Sequence, residues 1–218
     1  MNAGPDTGGL ERALRQAALA DGVAAGKAAA GFAERADREG LVEVAYSTLD
    51  TPLGTMLLAE TDRGLVRVGL PREAFEDVLT ELADRVSPRL LERPARVDRA
   101  RRELDQYFAG ERRRFDLTLD WRLITGPFRC NVLEAISRVP FGEAITYGEA
   151  AARAGSPRAH RAAGNALGSN PIPVVIPCHR VVRAGGAIGG YGGGPEMKRF
   201  LLRHEGWLAP AGAQGGEN

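Results

Sequence analysis

The hydrophobic periodicity changes at Thr125-Gly126-Pro127, which constrains the chain to two dissimilar halves. Upstream, Leu41-Val42-Glu43-Val44-Ala45-Tyr46 alternates with the period of a strand, Thr55 to Glu60 gives a second, mostly apolar run, and Leu65 to Leu70 a third. Thr61-Asp62-Arg63-Gly64 between the last two reads as a hairpin turn. Pro71 opens a helical segment with Phe75, Val78, Leu79 and Leu82 on one face. Val97 to Phe108 supplies a second helix, stopped by Gly110, and Phe115 to Leu119 returns to strand-like alternation. These patterns predict a small α/β scaffold domain over residues 41–122, with no catalytic constellation of its own.

Downstream, residues 123–208 read as mainly helical, so the fold class is α+β. Phe128, Val132, Ala135, Ile136 and Val139 share a helical face that ends at Pro140, and Cys130 lies off that face as a structural thiol. Thr146-Tyr147-Gly148-Glu149 has the form of a capping box, starting a helix that ends at Gly155. Ser156-Pro157 reads as an N-cap with proline at the first helical position, so a second helix runs through Arg158, Arg161, Ala162 and Ala166. Two short helices so joined are a helix-turn-helix candidate, although many helical hairpins bind nothing. Here the second helix carries arginines, no acid and many small residues, a surface suited to DNA. Pro195 opens a last helix, Glu196 to Glu205, closed by Gly206. Residues 1–40 are an Ala- and Gly-rich extension, helical around Leu10 to Ala20 or mobile, and residues 209–218 a tail.

The chemistry concentrates in Pro177-Cys178-His179-Arg180-Val181-Val182, behind the apolar run Ile172 to Ile176, which reads as a buried extended segment. A free thiol has a pKa of about 8.5, so a few per cent is thiolate at neutral pH unless a base or positive charge stands close. Adjacent side chains in a helix or strand do not face each other, so either the chain bends sharply at Cys178-His179 or a water bridges sulfur and imidazole. The bland reading is a small buried hydrophobe beside a core histidine. Against it stands Glu205: an acid in the last turn of a helix opposes the dipole, and orienting an imidazole accounts for its place. The net charge of +1 excludes an overall polycation and confines any nucleic-acid surface to a patch. Two distant cysteines, three histidines and no zinc-type spacing imply neither disulfide nor metal. Lacking a long apolar run or signal-like start, the chain is expected to be cytoplasmic.

These residues resemble the O6-alkylguanine-DNA alkyltransferases (methylated-DNA-protein-cysteine methyltransferases). The likeness covers about Thr125 to Gly206, with Pro177-Cys178-His179-Arg180-Val181 as the acceptor motif preceded by Asn170-Pro171. Residues 41 to 120 are similar to that family's ribonuclease-H-like α/β domain, and residues 1–40 lie outside it. The resemblance implies that Cys178 accepts the alkyl group from O6 of guanine. His179 then draws off the thiol proton through a water, Glu205 holds His179, and Tyr147 donates a proton to the leaving base. It also implies that Val181, Tyr191 and Gly192 line the base pocket, and that Asn170 ties the helix pair to the acceptor turn. Arg161 fills the stack vacated by a flipped nucleotide, within a minor-groove surface of Thr146, Arg158, His160 and Ala162. The implied partner is double-stranded DNA containing O6-alkylguanine, bound by a monomer with no cofactor and consumed in one turnover, because a thioether is a very poor leaving group. The resemblance also allows O4-alkylthymine as a second substrate. His160 stands where the family often has a small residue, and Gly192 where some members have serine. Competing readings are a non-catalytic lesion binder, an alkylation sensor and a cysteine hydrolase. Cys178, the short extension and the missing oxyanion-hole context weigh against them in turn.

Overall fold

The computed structural model describes residue 31 and residues 34–209; the helix expected over Leu10 to Ala20 and the tail from residue 210 lie outside them. The chain divides between Val42 and Glu43 into two units, and residues 34–38 of the first are helical. The second unit holds the sheet and the helical half.

Its sheet is built from β1 (Val44–Thr51), β2 (Gly54–Thr61), β3 (Gly64–Gly69) and β4 (Leu90–Glu92), in the order β3-β2-β1-β4. The first three pair antiparallel, and β4 pairs parallel to β1. Side chains alternate across the pleat, so the continuous apolar run of β2 serves two faces. Leu57 and Ala59 join Val44, Val66 and the helix α1 (Phe75–Arg85), whereas Met56 and Leu58 join α2 (Asp98–Phe108) and the helical half.

Several expectations shift. The first strand starts at Val44 rather than Leu41, where the amides of Glu43 and Val44 both donate to the Arg89 carbonyl, and it runs on to Thr51. Pro71 sits in a turn, pinned by the Leu70 amide donating to Glu73, and α1 begins four residues later. Phe115 to Leu119 is no strand. It touches β3 through one bridge, Leu65 to Leu119, while Phe115, Leu117 and Leu119 pack on the core. Gly64 permits this approach, since a Cβ there would fall 2.2 Å from the Thr118 carbonyl oxygen.

The helical half comprises α3 (Pro127–Ser137), α4 (Tyr147–Arg153), α5 (His160–Gly168) and α6 (Pro195–His204), with β5 (Ile145–Thr146) parallel to β6 (Val181–Val182). The capping box at Thr146 and Glu149 is formed. Ser156, however, does not cap the next helix. Its amide donates to the Ala151 carbonyl while Gly155 turns left-handed at φ 82°, so Ser156 closes α4 in a Schellman motif and α5 starts only at His160. Arg158 therefore lies in the turn before the helix, and Arg161 in the first turn of α5 rather than mid-helix. The Val68 amide donates to the Pro171 carbonyl at 2.8 Å, joining the sheet to the loop that leads to Cys178.

Candidate active site

The run Ile172 to Ile176 is a tight turn, not an extended segment. Ile176 donates its amide to Ile172, and Val174 adopts φ 74°. A β-branched residue is disfavoured there, so the surroundings must hold the strain. Asn170 does much of the holding: its Oδ1 accepts from the Ile172 amide at 3.0 Å, and its Nδ2 donates to the Ile176 carbonyl at 2.8 Å and to Cys178 Sγ at 3.2 Å. The Cys178 amide then donates back to Ile176, and Cys178–Arg180 winds into one turn of 3-10 helix. The sharp bend is thus present, and it buries Cys178, His179 and Arg180 together.

Behind the bend, Glu205 Oε1 accepts from His179 Nε2 at 2.8 Å, from the Tyr107 hydroxyl at 2.7 Å and from the Arg180 guanidinium at 2.9 Å. Its Oε2 accepts from Arg180 Nε at 2.8 Å. Burial alone would raise the Glu205 pKa, but the bonds from His179 and Arg180 prevail and hold it at about 2. An ionised carboxylate only accepts, so Nε2 carries the imidazole proton. Burial depresses the His179 pKa, so the ring is neutral, and Nδ1, buried with no protein partner, is left as a bare acceptor. Desolvation pushes the Cys178 thiol up to about 11, with the Asn170 bond and the Lys198 charge pulling the other way. The sulfur is therefore stored as a neutral thiol.

Cys178 lines a cavity of about 370 Å³ together with Asn170, Tyr191 and Gly192. The Tyr191 hydroxyl is buried there without a partner, and its ring meets His179 edge-on at 6.4 Å. Tyr147 lines a second cavity, about 560 Å³, with Thr146, His160, Gly164, Arg183 and Gly190. Its hydroxyl donates to the Gly190 carbonyl at 3.5 Å, and burial raises its pKa. The glycine-rich segment over residues 185–194 thus contributes to both cavities, through Gly190 and Gly192, and the structure does not bring Tyr147 and Cys178 into one. Arg158, His160, Arg161 and Ala162 form an exposed stretch at the entrance to α5. Val181 is not among the residues lining the Cys178 cavity, and its carbonyl accepts one bond, from Lys198 Nζ at 2.5 Å, with its second lone pair left over.

Three participants escaped the sequence reading. Lys198, with no solvent exposure, also donates to the Gly190 carbonyl at 3.1 Å, and burial lowers its pKa to about 8. Arg180 was visible only as a neighbour of His179, although the pairing of its fork with an acid follows from its geometry. Tyr107 comes from α2, 98 residues before Glu205, and nothing local marks it. Burial first, and then Glu205, push its pKa far upward, so it remains a donor. Tyr107→Phe keeps the ring among Phe108, Phe115 and Phe141 but deletes a hydrogen bond to a charged group. The expected cost is about 1.5–3 kcal/mol in urea unfolding with an unchanged slope; equal stability would mean the bond contributes nothing.

Residues 44–121 match the family described as 6-O-methylguanine DNA methyltransferase, ribonuclease-like domain, and residues 127–207 match that family's DNA binding domain. The constitutive methylated-DNA–protein-cysteine methyltransferase of Bacillus subtilis is 38% identical, covering 73% of this chain and 94% of its own. That of Mycolicibacterium paratuberculosis is 39% identical, covering 77% and 96%. Among solved structures, Mycobacterium tuberculosis OGT in complex with DNA has a TM-score of 0.65 at 37% identity, covering 74% of this chain and 92% of that one.

Proposed function

The chain belongs to the 6-O-methylguanine DNA methyltransferase family, and from that premise we propose that it repairs O6-alkylguanine in DNA by moving the alkyl group onto its own Cys178. The observation that carries this reading is the acceptor thiol set one residue from an imidazole whose Nδ1 is forced to accept.

The thiol proton passes through a water to His179 Nδ1, and the sulfur attacks the alkyl carbon. The carbon–O6 bond breaks with its electron pair going to the guanine, which takes a proton from the Tyr147 hydroxyl. A proton returned from the imidazole restores Tyr147, so the net change is thiol plus alkylguanine to thioether plus guanine. A neutral thiol at rest and a fixed base beside it mean that the anion exists only during transfer. Seating the base requires the Tyr147 and Cys178 cavities to join across the segment whose Gly190 lines the first and whose Tyr191 and Gly192 line the second. We further assign the partner as duplex DNA carrying the lesion. The protein works as a cytoplasmic monomer without metal or cofactor. A lesion binder that does no chemistry has no need of Cys178 and its relay.

Incubation with duplex DNA containing O6-methylguanine is expected to add one methyl to the intact protein, on the peptide bearing Cys178; an unmodified mass after prolonged exposure refutes the assignment. Arg161, exposed at the entrance of α5, is assigned to the gap left by the flipped nucleotide. Unstacking costs a few kcal/mol, so Arg161→Ala should slow repair in duplex by about tenfold or more while leaving transfer from the free base unchanged. Equal losses on both substrates would remove Arg161 from that role.

A further inference from the structure

We propose that a basic, aromatic groove behind the acceptor network is a second binding site, one that takes a nucleotide unit, a phosphate with its planar base. This goes beyond the repair reading and does not rest on it. The groove has a volume of about 650 Å³ and is lined by Arg113, Arg114, Arg138, Arg180, Phe115 and Phe141 among others, with no Asp or Glu in its walls. Arg112 is occupied, donating to Gln106 at 2.9 Å and pairing with Glu103 at 3.3 Å. Arg138 pairs with Glu134 on the surface, and Arg180 is spent on Glu205. Among the described residues Arg113 and Arg114 have no carboxylate partner, and the Arg113 guanidinium lies 5.6 Å from the Phe141 ring centre.

A fold with a net charge of only +1 gains nothing from crowding guanidinium groups into one concavity. An anion reverses that cost, and guanidinium forks match phosphate oxygens. The aromatic walls narrow the choice further. Phe115 and Phe141 are held against Tyr107 at 5.3 and 6.2 Å between ring centres, so both are fixed before anything binds. The Arg113 and Arg180 guanidinium groups already lie over the Phe141 ring, at 5.6 and 6.0 Å, so Phe115 is the ring left to stack a base, whereas a bare phosphate has no use for it. The volume falls within the range of small-molecule sites and exceeds what one phosphate fills.

The test uses the full chain, with 8-azido-ATP as photolabel and ATP in equilibrium binding. Label is expected on the peptides carrying Phe115 or Phe141. Arg113→Gln combined with Arg114→Gln, both exposed, should weaken ATP binding roughly 10- to 100-fold and leave repair of O6-methylguanine in duplex at the wild-type rate. Competition by a short single-stranded oligonucleotide would identify a strand as the natural source, and its absence a free nucleotide. Label confined to peptides with Tyr147 or Tyr191, or wild-type ATP affinity in the double variant, overturns the site. Inorganic tripolyphosphate competing as well as ATP overturns the role of the rings. An acidic peptide displacing the label better than any nucleotide overturns the nucleotide in favour of a protein.

Discussion

Cys178→Ala is expected to abolish alkyl transfer outright while lesion-containing DNA is still bound. The expectation rests on there being one usable sulfur. Cys130, the other cysteine, sits on α3 with its Sγ at 3.5 Å from the Ile124 carbonyl, away from the His179 relay. Cys130→Ala should therefore transfer at the wild-type rate. With the Cys178 pKa raised to about 11, roughly one molecule in ten thousand holds a thiolate at pH 7. Burial thus disfavours ionisation of the resting thiol, and drawing off its proton as the alkyl carbon arrives is the work assigned to the His179 relay. Iodoacetamide, which needs the thiolate and brings no base-shaped group to the cavity, should consequently label Cys178 more slowly than it labels a small free thiol, with labelling climbing steadily as pH approaches 11. Methyl transfer persisting in Cys178→Ala would end the proposal, whichever other residue carried the methyl.

Local chemistry in this chain was legible wherever a motif closes within a few residues. The capping box at Thr146 and Glu149, the hairpin between β2 and β3, and the stop at Gly206 need only neighbours, and they form as expected. The acceptor stretch was readable for the same reason, and Glu205 was betrayed by its poor fit to a helix C-terminus. Misreadings arose where a long-range contact overrides a local pattern. Ile172 to Ile176 alternates no better than a strand or a turn would, and it is the Asn170 side chain, committed to three groups of the turn, that decides. Three-residue β4 is too short for periodicity to register, and Ser156 was claimed by two helices of which α4 took it. Tyr107 and Lys198 carry no sequence signal, because their importance lies in what surrounds a buried oxygen or nitrogen far along the chain.

Glu205 should prove the residue on which stability and transfer both turn. Its side chain receives the Arg180 fork in a site without solvent, so Glu205→Ala leaves a buried guanidinium uncompensated, at an expected cost of about 3–5 kcal/mol. Glu205→Gln separates the two roles. The amide keeps the shape and one acceptor oxygen, so the fold survives with a smaller loss. Its NH₂ group, however, can donate to His179 Nε2, which would shift the imidazole proton to Nδ1 and remove the acceptor that the thiol needs. Transfer should fall far more than stability, with lesion binding intact. Acid gives an independent reading of the same charge. Glu205 is held at about 2 against an ordinary 4.5, so the folded state binds its proton later than the unfolded chain does. Its contribution, about 3 kcal/mol, is complete above 4.5 and drains away as pH falls toward 2. Urea unfolding repeated down that interval should show the wild type losing this increment and Glu205→Gln not losing it. Parallel acid limbs for the two proteins would mean that the Glu205 carboxylate is not the charge holding Arg180 and His179 in place.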